Sequence, residues 1–89
     1  MSKLEYAERF VNDLALIESP ELEKRILANL DTIALFGNFA TANVPKSIKR
    51  DFGEGVRKVA ASPFDLVYTF YSELDLVRIE ALVHQRAAW

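Results

Sequence analysis

Eighty-nine residues, half of them hydrophobic, can build one modest core, and with only three glycines and three prolines the chain is too apolar for disorder. The absence of cysteine excludes a disulfide framework and thiolate metal sites, and suits a reducing cytosol. A net charge of −2 argues against sequence-independent nucleic-acid binding.

No apolar signal core opens the chain and no apolar run reaches membrane-spanning length, so a single cytoplasmic domain over residues 1–89, without membrane contact, is expected. The charge is uneven. Residues 1–44 carry four basic and seven acidic side chains, a net of −3. Residues 45–58 carry five basic (Lys46, Lys49, Arg50, Arg57, Lys58) and two acidic, a net of +3. An anionic partner would dock on this basic island.

In chain order, Lys3–Tyr6 reads as a short first strand. Ala7–Ile17 reads as a helix, with Ala7, Phe10, Val11, Leu14 and Ile17 on one stripe. Ser19-Pro20 then provides an N-cap and a first-turn proline. A second amphipathic helix follows through Leu22, Ile26, Leu27, Leu30, Ile33 and Ala34 to about Phe36, with Gly37 as its stop. So short a link predicts a helical hairpin. Residues 37–55 show no steady period; one helical turn fits near Lys46–Asp51, and a loop this long in so small a chain is often functional.

Val56–Ala61 reads as a strand, and Ser62-Pro63 breaks it. Phe64 to Arg86 then alternates on two arms about a turn at Ser72-Glu73-Leu74-Asp75. Pairing Ser72 with Asp75 sets Phe70 against Val77, Tyr68 against Ile79, Leu66 against Ala81 and Phe64 against Val83. The reverse face would then hold Asp65, Val67, Thr69, Arg78, Glu80, Leu82 and His84, either solvated or covered by a partner. The expected fold is α+β in the order β-α-α-β-β-β. A short N-terminal strand and a helical hairpin would pack on a three- to four-stranded antiparallel sheet.

His84 is the only histidine, so general acid–base work near neutral pH would fall to it, although a lone histidine at a strand end is more often structural. Nothing in the acidic residues has metal-ligand spacing, and no phosphate loop or dinucleotide fingerprint is present. No metal and no cofactor are expected. Lys46, Lys49 and Arg50 fit either a phosphate backbone or a solvated basic loop. Trp89 is either an unanchored end or an aromatic anchor.

Three motifs in order resemble the ParE/RelE superfamily of bacterial type II toxins. They are Gly55-Val56-Arg57, Phe64-Asp65-Leu66-Val67-Tyr68, and Ile79-Glu80-Ala81-Leu82-Val83-His84-Gln85-Arg86. The resemblance spans nearly the whole chain. It implies a toxin neutralised by a cognate antitoxin. RelE-like members of the superfamily cleave messenger RNA on the ribosome, whereas ParE-like members block DNA gyrase without catalysis of their own.

Ribonuclease members usually carry an arginine after the aromatic of the second motif, where it would stabilise charge on the scissile phosphate. Here that position is Asp65, whose carboxylate would repel a phosphate, by several kcal/mol if poorly solvated. The His-x-Arg ending also looks ParE-like. The expectation is therefore a non-catalytic gyrase inhibitor. Lys46, Lys49, Arg50, Arg57, His84 and Arg86 would contact target or antitoxin, and a homodimer is left open. The alternatives are a ribosome-dependent endoribonuclease, with His84 as acid and Lys46, Lys49, Arg50 and Arg57 on phosphates, or an inactive homologue that only binds.

Overall fold

The computed structural model describes residues 2–36, 44, 46–53 and 55–88. Gly37 and Trp89, both singled out by the sequence, lie outside the described residues. The elements run β1 (Lys3–Tyr6), α1 (Glu8–Ala15), α2 (Pro20–Leu35), α3 (Lys46–Phe52), β2 (Val56–Ala61), β3 (Phe64–Tyr71), β4 (Leu76–His84) and α4 (Gln85–Ala88). The strands form one sheet in the order β1-β4-β3-β2. β2, β3 and β4 make the expected antiparallel meander. β1 joins it in parallel with β4, so the four-stranded sheet is mixed. Ser2 and Lys3 fasten that start to the β3–β4 turn: Ser2 Oγ donates to Asp75 Oδ1 at 2.7 Å, and Lys3 N–H donates to Asp75 O at 3.0 Å. Asp75 sits at φ 48°, a left-handed position that aspartate tolerates better than most residues.

Local chemistry sets the helices. The Ser19 hydroxyl accepts the Leu22 N–H at 3.2 Å and Pro20 occupies the first turn of α2, as a capped start requires. Leu22, Ile26, Leu30, Ile33 and Ala34 turn inward, while Leu27 is left 44% exposed. The helix predicted over Ala7–Ile17 shortens to α1; the N-cap Ala7 and Phe10 are buried, Leu14 and Ile17 (now beyond the helix) pack beside them, and Val11 is exposed. These helices cover one face, hereafter the inner face, of the sheet. There Phe10, Ile26 and Ile33 meet Leu66, Tyr68, Val77, Ile79 and Leu82. Burying each of these large side chains stabilises by about 1.5–3 kcal/mol.

The hairpin register holds only from the turn to Tyr68. Phe70 opposes Val77 and Tyr68 opposes Ile79, as expected. A bulge then intervenes, and Val67 opposes Ala81, Leu66 opposes Leu82, Asp65 opposes Val83 and Phe64 opposes His84. The extra residue is Glu80, and it exchanges the faces of everything after it. Leu82 therefore enters the inner core, and Ala81 and Val83 turn outward, the reverse of the sequence expectation. The outer face is not bare either. Helix α3 lies over it, and Val44 and Ile48 bury against Val56 and Val67, with Phe52 and Val83 at the margin. The chain covers with its own residues part of the face expected to meet solvent or a partner.

Candidate functional site

The β2–β3 turn at Ser62-Pro63 pairs Ala61 with Phe64 and Ala60 with Asp65. Asp65 and Lys58 thus share the outer face, diagonally across two strands, where a long side chain reaches. Asp65 is fully buried, and Lys58 Nζ lies 3.5 Å from its Oδ1. Gln85 Nε2 donates to the same oxygen at 3.2 Å. The position that RNA-cutting members of the resembled superfamily usually fill with arginine is thus a closed, neutralised cluster. A cation stands there, but its charge is matched by the carboxylate.

His84 does not join this cluster. The bulge turns it to the inner face, against expectation, where its ring meets Phe64 edge-on at 5.4 Å between centroids. Nδ1 accepts the Arg86 N–H at 3.2 Å, which leaves Nε2 as the second functional atom of an exposed imidazole. His84 and Arg86 therefore form one presented pair at the end of β4.

Arg57 lies opposite Tyr68, also on the inner face and half-exposed. It is two strands and four residues from His84, roughly 10 Å across and 13 Å along the sheet. The two residues paired in the catalytic alternative are not brought together. Lys46, Lys49 and Arg50 ride on α3 over the outer face, and Arg50 pairs with Asp51 at 3.7 Å on the surface. The six expected partner-binding residues thus divide between the two faces.

The sequence placed Lys58 only in the basic island, not beside Asp65, and gave Gln85 no role. The signal for Lys58 was available: a two-residue turn at Ser62-Pro63 fixes a register that sets it near Asp65. Gln85 had no such signal, because its outward turn depends on the bulge.

Further along the outer face a second polar network crosses three strands. Arg78 Nη1 donates to Glu5 Oε1 at 2.6 Å, Arg78 Nε to Glu80 Oε1 at 3.1 Å, and Thr69 Oγ1 to Glu80 Oε2 at 2.8 Å. The hydrogen bond to Glu80, and then that to Glu5, raises the Arg78 pKa above its ordinary value. A raised cation pKa gives stability that is lost only as pH climbs through it, so Arg78 stays charged throughout the physiological range. A surface hollow lined by Phe70, Tyr71, Ser72, Glu73 and Leu74 lies at the turn end of the hairpin, away from His84. Among the described residues no group of three His, Cys, Asp or Glu could hold a metal ion, and no helix is long and apolar enough to cross a membrane.

No family model matches the chain, and no curated protein does. Solved structures do. The toxin–antitoxin complex RelBE of E. coli contains a chain that superimposes with a TM-score of 0.71 at 13% identity, covering 94% of this chain and 96% of that one. This is the fold of the RelE/ParE toxin superfamily. E. coli YafQ matches with a TM-score of 0.60 at 25% identity over 98% of this chain and 97% of its own. In the E. coli DinJ–YafQ complex the match is 0.62 at 22% identity, over 100% of this chain and 99% of that one. The RelE-like order of one strand, two helices and three strands is the order read from the sequence, with the short α3 and α4 added to it.

Proposed function

We propose that this chain is the toxin of a type II toxin–antitoxin pair, held inactive by a cognate antitoxin and RelE-like in its target. The observation that carries this reading is the near end-to-end superposition on the toxin fold of RelBE and YafQ. One of those structures is an intact toxin–antitoxin complex, and another pairs YafQ with DinJ. The gyrase reading drawn from the His-x-Arg ending has no counterpart among them. On the RelE-like reading the target is messenger RNA on the ribosome. The exposed His84 imidazole is the candidate acid or base, and Arg86, fixed beside it, the candidate phosphate ligand.

A second reading rests on a different observation. Asp65 is ion-paired with Lys58, so the spot where RNA-cutting members usually keep an arginine carries no surplus positive charge. On that reading the chain binds its antitoxin and a target without cleaving RNA, by gyrase inhibition or by binding alone.

Induced expression with and without the adjacent candidate antitoxin gene tests the common part: growth should stop without it and recover with it. Primer extension on messages from a translating extract then separates the targets. Cuts that vanish in His84→Ala support cleavage. Intact messages with arrested supercoiling support gyrase, and intact messages with normal growth leave only a binding module.

A further inference from the structure

We propose that Asp65 is a positioning residue that latches the end of β4, so that His84 and Arg86 are presented in one fixed arrangement. A carboxylate buried this completely is costly unless its oxygens are matched. The matching here is lopsided. Oδ1 takes both Lys58 Nζ and Gln85 Nε2, and Oδ2 has no hydrogen-bond partner among the described residues. A simple ion pair would need no amide from a residue 20 positions away.

Gln85 is the residue between His84 and Arg86, and it is tied on three sides. Its side-chain nitrogen reaches Asp65, its backbone N–H donates to Pro63 O at 2.9 Å, and its side-chain oxygen accepts from Ser62 Oγ at 3.4 Å. The four-residue α4 cannot hold itself, because a single helical turn does not repay its nucleation cost. The ties to β3 and to the β2–β3 turn therefore fix where the chain leaves the sheet. With Gln85 turned outward to Asp65, His84 is left on the inner side against Phe64, and the Arg86 N–H falls on its Nδ1.

The functional value of this latch rests on the site proposed above, but its existence does not, and the test reads only the latch. His84 is the sole histidine, so the full-length chain gives one set of imidazole nitrogen signals. In the wild type these should report Nδ1 as an acceptor. Gln85→Ala should shift them to the tautomer mixture of a free histidine and speed amide exchange over residues 84–88 about tenfold, while amides of residues 66–70 are unchanged. Asp65→Asn keeps an acceptor oxygen for Gln85 and should preserve the wild-type signals; Asp65→Leu should lose them. If Asp65→Leu does not fold, Gln85→Ala decides alone, since Gln85 is half-buried and caps no core. Unaltered imidazole signals and exchange in Gln85→Ala would overturn the latch. Loss of toxicity is not a readout, so failure of the latch and failure of the proposed function remain separate results.

Discussion

Asp65 and Lys58 answer each other at the residue scale. Lys58 keeps 15% of its side-chain surface and Asp65 none, so the pair sits where solvent screening is weak. Removing one member leaves a buried charge without its counterpart, which costs about 3–5 kcal/mol in well-buried pairs. Lys58→Met should therefore destabilise by about 3 kcal/mol, at the low end because Lys58 retains a path to water. Removing both members should cost much less, because two apolar side chains of similar volume fill the space without a stranded charge. A double-mutant cycle by urea unfolding checks this: the double variant Lys58→Met/Asp65→Leu should be more stable than Lys58→Met alone. If the two single costs simply add, the pair contributes nothing as a pair. The same physics explains why an arginine cannot be put back at position 65 without other changes. Its guanidinium would be buried beside Lys58, two cations where solvent screening is weak and no carboxylate remains to offset them.

At the scale of elements the bulge at Glu80 decides most of what the sequence concealed. β1 stops at Tyr6, so β4 loses its parallel neighbour beyond Ile79. Helix α1 runs along that open edge, and Asp13 Oδ2 accepts the Leu82 N–H at 3.0 Å in place of a strand. Leu82 is only 4% exposed, so its amide has no ready access to water. Asp13→Ala should cost about 1.5–3 kcal/mol, the range for a buried donor that loses a charged acceptor. Asp13→Asn, which keeps an acceptor, should cost clearly less. The exposed Arg9–Asp13 contact at 3.6 Å adds little to either figure. Equal losses in the two variants would mean that the hydrogen bond is not what holds α1 to the edge.

The bulge also marks the boundary of what alternation can reveal. The turn at Ser72–Asp75 and the pairs Phe70–Val77 and Tyr68–Ile79 were legible because one face there is apolar and the other polar. Beyond Ile79 both faces become covered, one by α1 and α2, the other by α3. Ala81 and Leu82 are then both buried, and a period of two carries no facing information. His84 was assigned to the wrong face for that reason, and Gln85 was overlooked. The α2 start was readable because Ser19 and Pro20 act through the backbone of their own turn, with no tertiary input. The parallel pairing of β1 was not, because four residues carry no record of a neighbour that is 73 positions away.

Across the whole molecule the two cores are unequal, and this sets which part moves first. Among the described residues, eleven buried ones form the inner core and four the outer one beneath α3. A seven-residue helix has no stability of its own in water, so α3 stays in place through Ile48, Val44 and Phe52. Phe52 also meets the Arg9 guanidinium, 5.1 Å above its ring, a contact worth about 0.5–1 kcal/mol at an exposed site. α3 is therefore expected to open as a local unit at a free energy below that of global unfolding. Ile48→Ala and Ile26→Ala delete comparable buried side chains, 2% and 0% exposed, from the two cores. Ile26→Ala should lower global stability by about 2–5 kcal/mol, the usual cost of such a cavity. Ile48→Ala should instead release α3. Amides of residues 46–52 would then exchange almost as fast as in an unfolded chain, while the global unfolding free energy falls by only about 1 kcal/mol, because the transition no longer includes α3. Hydrogen exchange alongside urea unfolding measures both quantities, and equal global losses from the two variants would show a single cooperative unit. The distinction bears on function because Lys46, Lys49 and Arg50 all ride on α3. If the helix opens separately, a partner that grips those three cations also chooses whether the outer strip of Val56, Val67 and Val83 is covered by α3 or by itself.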